Sequence, residues 1–169
     1  MPTPDIDVSP TESRTAVRSA DRPIAGPDVS AADRPWTEVL RDYLELTKPE
    51  ISFLVTVSAL AGFLLGSPDT LDGVVLMATL VGTALCAGGV GMLNHVIEER
   101  FDAQMKRTAD RPIPSGRIAA SSARPVGITM VCLGIAIICP LVNPLTAVLA
   151  MITAVLYVYV YTPLKRTTK

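Results

Sequence analysis

The sequence predicts an all-α membrane protein with four transmembrane helices. Composition is the first reason: 49% of the 169 residues are apolar, and mean hydropathy is +0.40. Clustering is the second, because the apolar residues gather in long runs instead of recurring as one face of a soluble helix. The third is the charge between the runs, which alternates as a multi-pass topology requires.

Residues 1–35 are rich in Pro, Asp, Ser, Thr and Arg, with almost no large apolar side chains. Burial cannot offset the entropy of ordering such a segment, so it is expected to be a disordered tail. It lacks the apolar core of a signal peptide. Its six acids (Asp5, Asp7, Glu12, Asp21, Asp28, Asp33) do not suit a mitochondrial transit peptide. The string Ala-Asp-Arg-Pro-Ile occurs at 20–24 and again at 109–113, which warns against reading function into it alone.

Residues 36–169 form the second unit. Trp36 to Glu50 is amphipathic and reads as an interfacial helix, with Trp36 and Tyr43 at headgroup level. Pro49 suits the first turn of the next span. The expected spans are about 51–66, 73–97, 125–142 and 144–163. The first and third are short against the ~20 residues that a bilayer needs.

Loop charges give the orientation. Ser67 to Asp72 carries two acids and no base, whereas 98–124 carries six bases. The tail adds Lys165, Arg166 and Lys169. Both termini and the 98–124 loop are therefore expected on the cytoplasmic side of the cell membrane. Net charge is −1, and the few aromatics do not interleave with bases, so nothing indicates a nucleic-acid partner. Cys86, Cys132 and Cys139 lie inside apolar spans and read as small packing residues rather than disulfides or metal ligands.

The second span is rich in small residues, including Gly82, Gly88, Gly89 and Gly91. They allow close helix packing, or room for a bulky ligand beside the polar end of the span. That end carries Asn94, Glu98 and Asp102, four residues apart. On a helix they share one drifting stripe, each step about 6 Å along the axis. Two carboxylates and an amide at a membrane edge are costly unless they bind something.

Mg²⁺ prefers oxygen ligands and commonly combines one or two carboxylates with phosphate oxygens. Asn94, Glu98 and Asp102 thus read as a metal and catalytic set. Lys106, Arg107 and Arg111 read as contacts for the remaining phosphate oxygens. Arg100, Arg117 and Arg124 read as solvated, topology-setting charges, and Glu99 as solvent-facing. His95 points about 100° from Asn94 and reads as a polar interface residue.

The run from Asn94 to Ile118 resembles the first aspartate-rich motif of the UbiA superfamily of intramembrane prenyltransferases. Leu46-Thr-Lys-Pro-Glu-Ile51, Met105 to Arg117 and Tyr161-Thr-Pro-Leu-Lys-Arg166 extend the likeness over about 44–169, and favour its heme branch, the protoheme IX farnesyltransferases. The resemblance implies a bundle of about nine transmembrane helices, of which this chain carries the N-terminal part. It also implies transfer of a farnesyl group from farnesyl diphosphate to a vinyl group of heme b, with Mg²⁺, giving heme O. Asn94, Glu98 and Asp102 carry over as the metal–diphosphate motif, with Glu98 where many members have Asp. Lys106, Arg107 and Arg111 carry over as diphosphate contacts.

Relatives of this kind continue with about five more helices and a second acidic motif. The chain is therefore expected to be a half-site, inactive alone and completed by a C-terminal half. Two rival readings remain. One is a UbiA-type enzyme with a quinone-precursor or chlorin acceptor, separable by acceptor competition. The other is a non-catalytic four-helix membrane protein, separable by the coding sequence beyond Lys169. A transporter fits less well, because the polar stripe lies at an interface and not at the midplane.

Overall fold

A computed structural model describes residues 34–66, 71–162 and 164. Most of the expected disordered tail, Asp69, and the basic residues Lys165, Arg166 and Lys169 lie outside the described residues. Those described are helical, with no strand among them. The helices are α1 (Trp36–Leu46), α2 (Pro49–Gly66), α3 (Gly73–Asp102), α4 (Ala120–Leu141) and α5 (Pro144–Val155). A π-helical segment, Leu156–Tyr161, continues α5 directly.

Four segments are long and apolar enough to cross a membrane: α2, α3, α4, and α5 with its π-helical extension. Their local signals are plain. Asp72 caps α3 by accepting from the Val74 and Val75 amides at 2.8 and 3.2 Å. Asn143 caps α5 through the Leu145 amide at 2.7 Å, with Pro144 in the first turn. Lys48 turns the chain from α1 into α2 at φ 50°, a left-handed conformation that costs a residue with a Cβ about 1 kcal/mol.

Two boundaries differ from the hydropathy reading. α3 runs on through Asp102 because Glu98, Glu99 and Arg100 are adequate helix formers, although the apolar run stops at Ile97. α4 begins at Ala120, and Pro125 lies inside it, where it removes one backbone donor without ending the helix. The connection between α3 and α4 is therefore 103–119, shorter than the expected 98–124 loop.

That connection is partly buried. Ile113 and Ile118 are 3% and 5% exposed and pack with Leu46, Met92, Val96 and Ala123. One core cluster thus joins α1, α3, α4 and the connection. α1 shows its amphipathic character: Trp36 is exposed, while Leu46 and Asp42 are buried.

Within the membrane zone α3 and α4 pack backbone to backbone. A Cβ at Gly89 would lie 2.7 Å from the Gly127 carbonyl, and one at Gly134 would lie 2.6 Å from the Gly82 carbonyl. The expected small-residue packing is present here. α2 buries none of its residues. Cys86 is a buried packing residue as expected, but Cys132 and Cys139 are exposed on α4.

Candidate functional site

α3 carries the stripe without interruption. Asn94, Glu98 and Asp102 are 3%, 8% and 2% exposed. Asn94 Nδ2 donates to Glu98 Oε2 at 2.9 Å, as four-residue spacing on a helix allows. The Asn94 carbonyl oxygen is held from far along the chain. Thr162 Oγ1, fully buried, lies 2.9 Å from Asn94 Oδ1 and 2.9 Å from the Tyr157 carbonyl. The π-helical segment ends immediately before Thr162, and such wide turns frequently mark functional sites.

Asp102 forms the other end. Its Oδ2 accepts from Arg111 Nη1 at 2.7 Å, a short charge-assisted bond. Thr108 Oγ1 donates to the Asp102 carbonyl at 2.8 Å and ties the connection to the end of α3. His95 is 3% exposed, and its Nδ1 lies 3.9 Å from Asp102 Oδ2, too far for a hydrogen bond. That nitrogen is buried without a hydrogen-bond partner among the described residues. His95 lies seven residues before Asp102, two turns along α3, which brings the two side chains near one another.

The structure brings Asn94, Glu98, Asp102 and Arg111 together. Lys106 and Arg107 stand exposed on the connection. Arg100 and Arg124 are exposed, as expected, while Glu99 is half-buried. Arg117 is exposed as expected, and it also pairs with Asp42 at 3.4 Å and Glu45 at 3.7 Å. Sequence reasoning missed Thr162 as a site residue. Its signal is its place in the Tyr161-Thr-Pro-Leu-Lys-Arg166 string, which carries the resemblance but gives the threonine no site role.

An apolar cavity of about 250 Å³ opens between α2, α3, α4 and α5. Gly91 and Lys48 line it on the stripe side, Ala87 and Val90 continue it along α3, and Ile138 and Thr146 line it farther along. Gly91 is three residues before Asn94, so the cavity begins within a helical turn of the stripe. The small residues of α3 thus serve both readings, packing on one side and room on the other.

Residues 55–169 match the UbiA prenyltransferase family. The chain belongs to that family. Similar relatives include the protoheme IX farnesyltransferase of Salinibacter ruber, 68% identical over 131 residues, 78% of this chain and 46% of that protein. That of Opitutus terrae is 46% identical over 74% of this chain and 42% of its own length. Protoheme IX farnesyltransferase 1 of Pseudomonas fluorescens is 39% identical over 80% of this chain and 46% of its own. The chain thus spans less than half the length of these curated relatives. No solved structure matches it.

Membership in the UbiA family, with four apolar helices, makes this an integral membrane protein. The family match covers the stripe, most of the cavity lining and Thr162. α1 and the start of α2 precede it.

Proposed function

We propose that the chain is the N-terminal part of a protoheme IX farnesyltransferase, which moves a farnesyl group from farnesyl diphosphate to heme b and yields heme O. One observation carries the reading. A buried Asn94–Glu98–Asp102 stripe ends a membrane helix beside an apolar cavity, in a chain 68% identical to the Salinibacter ruber enzyme over the matched region.

The division of labour rests on the chemistry of the side chains. Glu98 and Asp102 offer carboxylate oxygens, and Asn94 an amide oxygen, at the membrane edge. Mg²⁺ suits such oxygens, since it takes one or two carboxylates and completes its shell with phosphate and water oxygens. UbiA prenyltransferases generally use a divalent metal to bind diphosphate, and Mg²⁺ is our choice among them. Glu98 and Asp102, with Asn94, would hold it, and when bound it supplies charge neutralisation at the leaving diphosphate.

Arg111 neutralises Asp102 in this structure, and its guanidinium suits bidentate contact with a phosphate. Lys106 and Arg107 present two further cations on the same connection. The cavity is lined mainly by apolar side chains and suits a prenyl chain. The allylic C1–O bond breaks with its electrons leaving on the diphosphate, and the vinyl π electrons of the heme form the new bond to C1; the cation left on the ring-adjacent carbon is captured by water, which gives up a proton, so the product carries a hydroxyl there. No covalent enzyme intermediate is needed. We assign the termini and the connection to the cytoplasmic side of the cell membrane, and the bases at Arg100, Lys106, Arg107, Arg111, Arg117 and Arg124 support that reading.

The test is made in the full-length enzyme. Glu98→Gln and Asp102→Asn should each abolish heme O formation in membranes while protein level holds. Wild-type heme O formation by both variants would sink the metal assignment.

A further inference from the structure

The proposed chemistry leaves one buried charge unused. Asp42 is 5% exposed, yet it lies on α1, outside the stripe and before the matched family region. A buried carboxylate is costly unless it is paired. Asp42 is paired twice. Its Oδ2 accepts from Arg34 Nη2 at 2.8 Å, and its Oδ1 lies 3.4 Å from Arg117 Nε.

The two arginines are themselves joined. Arg34 Nη1 donates to the Arg117 carbonyl at 3.3 Å, and Arg117 Nη2 donates to the Asp110 carbonyl at 3.1 Å. Arg34 also reaches Glu38, and Arg117 reaches Glu45. Asp110 is the neighbour of Arg111, which holds Asp102 at 2.7 Å. A continuous path of charged contacts thus runs from α1 through Arg117 to the backbone beside the stripe. Beneath it Leu46 packs with Ile113 and Ile118. The Asp42 carboxylate raises the Arg34 guanidinium above its ordinary value, first by the hydrogen bond, then against the cost of desolvation.

We infer that Asp42 is a positioning residue, which fixes the 103–119 connection through Arg117 and so sets the place of Arg111, Lys106 and Arg107 at the diphosphate site. The clasp itself is a property of the fold. Its effect on turnover rests on the prenyltransferase reading.

Two measurements separate these. The chain is placed in lipid nanodiscs, and trypsin cleavage after Lys106 and Arg107 is timed. Asp42→Asn and Arg117→Gln should each speed cleavage about tenfold, as expected for losing a charge-assisted hydrogen bond. The double variant should add little to either, and Asp42→Glu should restore protection. Wild-type cleavage in both single variants, or additive effects, would overturn the clasp.

The second arm uses the full-length enzyme in membranes. Asp42→Asn should raise KM for farnesyl diphosphate about tenfold and lower kcat less, because binding groups are displaced while the stripe stays intact. Faster cleavage with an unchanged KM would overturn the positioning role. If the wild-type enzyme forms no heme O, the functional reading fails, and the cleavage arm still decides the clasp.

Discussion

At the scale of single residues, two sets of short polar contacts hold the stripe, Thr162–Asn94–Glu98 at one end and Arg111–Asp102–Thr108 at the other. Thr162 shows this best. Removing its hydroxyl leaves Asn94 Oδ1 without that donor in a buried place. Thr162→Val is expected to lower stability by about 1 kcal/mol, read as an earlier thermal transition in detergent, while Thr162→Ser should match the wild type. A valine variant as stable as wild type would mean that Asn94 is held by Glu98 alone. Asn94, Glu98 and Asp102 were legible in the sequence because a four-residue spacing is local to one helix. Arg111 was legible too, as a cation near the stripe. Thr162 was not, because 68 residues separate it from Asn94 and no periodicity links them. Arg117 reads as a solvent charge because it belongs to a polar run, and only the tertiary fold brings it to the buried Asp42.

At the scale of elements, α3 and α4 are held by the absence of side chains. Gly89→Val puts new atoms where the Gly127 carbonyl lies 2.7 Å from a would-be Cβ. A backbone cannot rotate aside as a side chain can, so the helices must separate. Overpacking of this kind costs about 1–3 kcal/mol, measurable as a lowered melting temperature of the detergent-solubilised protein. An unchanged melting temperature would contradict the close approach. The four spans were legible from hydropathy, but their ends were not. Hydropathy reports where a side chain prefers to sit, whereas a helix ends where its backbone hydrogen bonds end. Hence α3 continues through Glu98 and Asp102, and α4 starts before Pro125. The order within 103–119 was hidden for a related reason. Ile113 and Ile118 are isolated apolar residues among charges, and their burial depends on Leu46 of α1.

At the scale of the whole molecule, the chain covers 46% of the Salinibacter ruber relative. On the half-site reading, the chain expressed alone inserts in membranes but forms no heme O. Co-expression with the C-terminal half of that relative should restore heme O formation, measured by chromatography of extracted hemes. Robust turnover by the purified chain alone would refute the half-site argument. The contact between Thr162 and Asn94 also gives the fold a timetable. Synthesis proceeds from the N-terminus, so α3 is made well before the π-helical segment that precedes Thr162. During that interval the Asn94 oxygen lacks its Thr162 donor. Closing that bond is a late event in the folding of these helices, and it records that the fourth span has arrived in register with the second.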